Sequence, residues 1–150
     1  MDWKEGPELE RGRDFEGFVR TMFPEPDFKI LFSSDATWTK VPDFYIQYGE
    51  KEFRFWVEAR NRKAFYGNDR AVQVFGERTD RLNLLHAFQA IVLPETVFVV
   101  LGIGEDPKSP DHLFRIPVKE IRWAKMYENE LKDKWACGRS FSKYDNYSLV

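Results

Sequence analysis

Asp43, Glu58 and Arg60 are the residues whose types and spacing could do chemistry. They lie in PDFYIQYGEKEFRFWVEARNR, Pro42 to Arg62, which reads as two strands around the polar turn GEKE. In an antiparallel hairpin, directly opposed residues share a face and their numbers sum to a constant. With a constant of 101, Phe44 opposes Val57, Ile46 opposes Phe55 and Tyr48 opposes Phe53, an apolar face fit for a core. The other face pairs Tyr45 with Trp56, Gln47 with Arg54, and Asp43 with Glu58.

Carboxylates opposed in this way have Cβ atoms about 5 Å apart and repel each other. Two arrangements offset the repulsion. One is a divalent cation: Mg²⁺ is commonly held by one or two carboxylates plus water and phosphate oxygens, and it then assists phosphodiester hydrolysis. The other is Arg60, two residues past Glu58 and on the same side, closing a structural ion pair with both carboxylates. The residue types leave both open.

The elements that must position these residues follow from periodicity. Phe15, Phe18, Val19, Met22 and Phe23 recur at helical spacing and predict a helix from about Pro7 to Phe23. DFKILFSS predicts a strand with Phe28, Ile30 and Phe32 on one face, ahead of the hairpin. The stretch KAFYGNDRAVQVFGERTD suggests loops around a short helix. DRLNLLHAFQAIVL predicts a second helix with Leu82, Leu85, Phe88 and Ile91 inward. ETVFVVLGIG has the continuous apolar pattern of a strand buried on both faces. HLFRIPVKEI predicts a further strand that passes into a helix around 119–135. The expected class is α/β, a mixed central sheet flanked by helices.

PD at 42–43 and the acidic-x-basic triplet EAR at 58–60, within this element order, resemble the PD-(D/E)XK nuclease superfamily. The resemblance covers roughly residues 8–122 and implies a restriction-endonuclease-like αβββαβ core in a single domain over 1–150. It further implies a metal-dependent deoxyribonuclease, with Asp43, Glu58 and the Ala59 carbonyl as ligands of Mg²⁺ or Mn²⁺. Glu16 on the first helix matches a Glu that members often carry there, and would assist through metal-bound water. DNA is the implied partner, RNA stays open, and a homodimer would pair two sites for double-strand cleavage.

The chain departs from that pattern at the Lys position, where Arg60 stands. An arginine is always protonated, so Arg60 can stabilise charge on a phosphate but cannot accept a proton. A second departure is Arg81, which aligns with a Gln of the second helix. These departures raise an alternative: a catalytically weak or inactive domain of the same fold, kept for binding nucleic acid or protein.

Lys40, Arg62, Lys63 and Arg70 lie around the motif with Phe65 and Tyr66, a mixture suited to phosphate contacts and stacking, or equally to a solvated loop. His86 reads as a structural histidine and His112 as a surface one. With 23 basic and 25 acidic residues the net charge is −2, which argues mildly against clamping nucleic acid without specificity. The single cysteine, Cys137, rules out an internal disulfide. No apolar run approaches the roughly 20 residues of a membrane helix, so a cytoplasmic domain is expected.

Overall fold

The computed structural model describes residues 7–34, 41–49, 53–76 and 79–139. Helix α1, Pro7–Arg20, turns Phe15 and Val19 onto the sheet, and both are buried. It stops earlier than Phe23 because the chain tightens. Thr21, Met22 and Phe23 donate to carbonyls three residues back, and the Thr21 hydroxyl donates to Phe18 at 2.6 Å.

Strands β1 (Phe28–Ser33), β2 (Phe44–Tyr48) and β3 (Phe53–Arg62) form an antiparallel meander. The hairpin register is the expected one, Phe44 opposite Val57 through Tyr48 opposite Phe53. Alternation pins it, since a slip of one residue would turn Phe44, Ile46, Phe55 and Val57 out of the core. In β1 the expected single face fails. A register shift between Ile30 and Phe32 places Phe32 opposite Tyr45, so its ring lies 6.4 Å from that of Trp56, on the face away from α1.

After β3 no short helix forms among the described residues. Tyr66 and Ala71 exchange backbone hydrogen bonds around a tight loop, with Gly67 at positive φ, and lead into β4 (Ala71–Gln73). Helix α2, Thr79–Val92, buries Leu82 and Leu85 and packs Phe88 at the core edge, as expected, but Ile91 is 78% exposed. Gln89 is buried instead, donating to the Glu95 carbonyl and accepting from Val97 N–H, both at 2.7 Å. The helix is apolar nearly all round, so periodicity marks its inner face poorly.

Strand β5 (Thr96–Ile103) runs parallel to β3, and β6 (His112–Pro117) returns antiparallel, giving a mixed sheet in the order β1-β2-β3-β5-β6. β5 is buried on both faces. Val97, Val99 and Leu101 join a core with α2, while Phe98 and Val100 join a core with α1. The expected helix over 119–135 is broken into a 3-10 turn (Val118–Glu120), strand β7 (Lys125–Tyr127) and helix α3 (Glu128–Lys134). β7 is drawn out by pairing with β4, a contact between distant stretches of chain. The class is α/β, with helices on both faces of a five-stranded sheet. No helix among the described residues is long and apolar enough to cross a membrane.

Candidate active site

Past Trp56 the face of β3 turned away from α1 carries Glu58 and then Arg60, while Val57 and Ala59 turn toward α1. Asp43 sits one residue before β2, where its carbonyl accepts Ser34 N–H at 2.8 Å and carries the β1–β2 pairing past the last strand residue. Its carboxylate accepts the Ala59 N–H at 2.8 Å, capping the edge of β3. Asp43 and Glu58 are therefore neighbours, as the strand arithmetic requires.

Glu58 is fully buried and surrounded by positive charge. Arg60 donates from Nη2 to Oε2 at 2.6 Å. Arg81, in the first turn of α2, donates from Nε to Oε2 at 2.7 Å and from Nη2 to Oε1 at 2.9 Å. Its Nη2 also donates to the Val41 carbonyl at 3.2 Å, so one guanidinium ties α2, β3 and the entry to β2 together. The Arg60 guanidinium lies over the Phe75 ring at 5.4 Å, and its buried Nε has no hydrogen-bond partner among the described residues.

These contacts divide the titrations. Burial alone would raise the Glu58 pKa, but the charges and hydrogen bonds of Arg60 and Arg81 outweigh it and hold the group below the ordinary carboxylate value. Asp43 is pushed well above its ordinary value by burial and by the charges of Glu58 and Glu16, against the Ala59 hydrogen bond and Arg60. Glu16, half-buried on α1, is also raised, by burial first and then by Glu58. Asp43, Glu16, Glu58 and Arg60 thus share one electrostatic field.

The Mg²⁺ or Mn²⁺ implied by the motif does not fit this donor set. Both Glu58 oxygens accept from fixed guanidinium groups, so a dication there would meet two cations and have to displace three charge-assisted hydrogen bonds. Among the described residues no group of three or more His, Cys, Asp or Glu is arranged to hold a metal ion.

The basic residues expected to meet nucleic acid do not gather at this site. Arg62 donates to the backbone carbonyls of Gln73 and Asn61, both at 2.8 Å. Arg70 pairs with Glu128 at 3.0 Å and lies over the Phe65 ring, while Lys63 is exposed. Lys40 lies outside the described residues. Phe65 is a core residue, whereas Tyr66 is 60% exposed. His86 is structural, its Nε2 within 2.7 Å of the Ile121 carbonyl. His112 opens β6, its ring stacked near Phe114.

No family model, curated protein or solved structure matches the chain. The site must be read from its own geometry.

Arg81 is the residue that the strand arithmetic missed, because a helix 23 residues away along the chain delivers it. The available signal was a basic residue beside Leu82 in the first turn of the helix. Asn61 was missed as well. It donates to the Gly102 carbonyl at 3.0 Å and accepts from Arg11, which also reaches the carbonyls of Gly104 and Glu105. That network ties α1 and the turn after β5 to the end of β3.

Proposed function

We infer that the chain is a restriction-endonuclease-like domain that binds nucleic acid and whose hydrolytic centre is closed. The fold reading is supported by the succession α1, β1–β3, α2, β5, with β3 parallel to β5 and the acidic pair at the hairpin's open end. The observation that carries the closed centre is the engagement of both Glu58 oxygens by Arg60 and Arg81. A carboxylate held in this way is neutralised and fixed. Arg60 cannot act as a base.

A second reading, metal-dependent hydrolysis of DNA, draws on one observation. Asp43 and Glu16 both bind their protons more tightly than usual, through burial first and then the charge of Glu58, a penalty on the ionised acids that a bound cation would offset. It requires Glu58 to be released from Arg81.

Incubation with supercoiled and single-stranded DNA in Mg²⁺ or Mn²⁺, beside an Asp43→Asn control, separates the two. The closed centre predicts no cleavage above the control, together with salt-sensitive binding. Metal-dependent cleavage that the control abolishes would establish the second reading instead. A chain that binds no nucleic acid at any salt concentration would sink both.

A further inference from the structure

Most of the cations described so far are engaged. Arg60 and Arg81 hold Glu58, Arg70 and Lys132 meet Glu128, and Lys125 meets Asp69. Arg11 and Arg62 are tied to backbone carbonyls. Arg13, Lys108 and Arg139 are different: none of them sits in an ion pair among the described residues, and all three are exposed.

These three line one open cleft of about 490 Å³ between α1 and the turn after β5. Among the described residues, Asp14 is the one carboxylate lining it. Three cations outside any ion pair, facing one concavity, repel each other and raise the local concentration of anions.

Contacts within the fold position the walls of the cleft. Arg11 fastens α1 to the carbonyls of Gly104 and Glu105. The Arg139 guanidinium lies 5.8 Å from the Phe18 ring centroid, and its Nη2 reaches Ser109 Oγ at 3.4 Å. The Lys108 N–H donates to Asp106 at 2.9 Å, which fixes the turn and engages one of its acidic side chains. At Gly17, in the lining, a Cβ would meet nothing within 4 Å, so an incoming group finds room there.

We propose that this cleft takes a phosphate of a nucleic-acid backbone. Two guanidinium groups supply paired donors suited to phosphate oxygens, and Lys108 supplies a mobile point charge. The assignment rests on the nucleic-acid reading above and adds a contact surface separate from the carboxylate pair. Helical geometry puts Glu16 on the flank of α1 nearer Asp43 and Glu58, and Asp14 and Phe18 on the other flank. A bound strand that also reached the acidic pair would cross the ridge of α1 formed by Arg13, Gly17 and Arg20.

The test is fluorescence anisotropy with labelled duplex and single-stranded DNA over a salt series, comparing the full chain with its Lys108→Ser/Arg139→Ser variant. Both side chains are exposed, and an unchanged melting temperature verifies that the variant folds. Each phosphate contact contributes about 0.9 (duplex) or 0.7 (single strand) to the slope of log affinity against log salt, so the variant should lose roughly 1.4–1.8 units of slope. In parallel, inorganic phosphate should shift the Gly17 amide resonance in the parent chain and leave it in place in the variant. A parent that binds DNA and a variant that binds it with the same slope would overturn the cleft while leaving the nucleic-acid reading intact. A parent that binds no DNA yet shows the Gly17 shift would overturn the nucleic-acid assignment and leave a site for a small phosphate.

Discussion

Arg81 grips Glu58 by both carboxylate oxygens, Nε to Oε2 at 2.7 Å and Nη2 to Oε1 at 2.9 Å, across 23 residues of chain. The grip joins α2 to β3 at a point where Glu58 has no exposure to water. Removing one member of a buried pair leaves its partner uncompensated and costs about 3–5 kcal/mol. Glu58→Ala should therefore lower the urea midpoint severely, and Arg81→Ala should lower it less, because Arg60 still holds Glu58. In a double-mutant cycle the two losses should fall well short of adding, because each variant removes the same contact. Additive losses would show that the pair contributes nothing to stability.

The neighbouring carboxylate should behave in the opposite sense with pH. Glu58 has a lowered pKa in the fold, so its contribution is present above the unfolded value and is lost as pH falls through the folded one. Asp43 has a raised pKa, so its contribution is present below the unfolded value and is lost as pH rises through the folded one. Above its raised folded value, an ionised Asp43 is a net cost. Asp43→Asn keeps an oxygen to accept the Ala59 N–H and removes the charge. The variant should melt at a higher temperature than the parent at mildly alkaline pH, and the gap should close on acidification. A variant less stable than the parent across the whole range would show that the carboxylate is needed in its ionised form.

How much of this was legible depends on whether a residue's partner is near in sequence. The β2–β3 register, and with it the meeting of Asp43, Glu58 and Arg60, follows from alternation within one hairpin. The misplaced face of Phe32 comes from a backbone bulge, which leaves no trace in side-chain periodicity. The break in the 119–135 helix reflects pairing of Lys125–Tyr127 with Ala71–Gln73, a partnership set by the tertiary fold. Ile91 was placed inward because its spacing suits a buried stripe, but the helix it sits on is apolar on several sides. At the site, Arg81 read as a departure from a motif. Its role as the second cation on Glu58 required knowing how α2 docks on the sheet.

Two glycines should respond to alanine with opposite signs. At Gly102 in β5, an added Cβ would collide with the Phe15 ring and lie 3.2 Å from Pro110 Cβ. Phe15 is a fully buried anchor of α1, so it cannot retreat, and overpacking of this kind costs about 1–3 kcal/mol. At Gly12, on the exposed side of α1, a Cβ meets nothing within 4 Å, and Gly→Ala in a helix interior contributes about 1 kcal/mol of stability. Denaturant midpoints should fall for Gly102→Ala and rise for Gly12→Ala. A neutral Gly102→Ala would mean that α1 packs less tightly on β5 than this contact implies.

The closed centre itself can be opened by design. Arg60→Lys keeps a cation able to move aside, and Arg81→Gln removes the one that grips both Glu58 oxygens. The double variant leaves Asp43 and Glu58 adjacent with far less positive charge between them. Oxygen ligands of this kind suit Mg²⁺ and its paramagnetic substitute Mn²⁺. Mn²⁺ titration followed by electron paramagnetic resonance should show saturable binding to the double variant, lost again when Asp43→Asn is added. The parent chain should show none at the same concentrations, because its Glu58 is already neutralised. Equal Mn²⁺ binding by parent and double variant would mean that the guanidinium clamp yields readily, and metal-assisted hydrolysis would then become the better reading of the site.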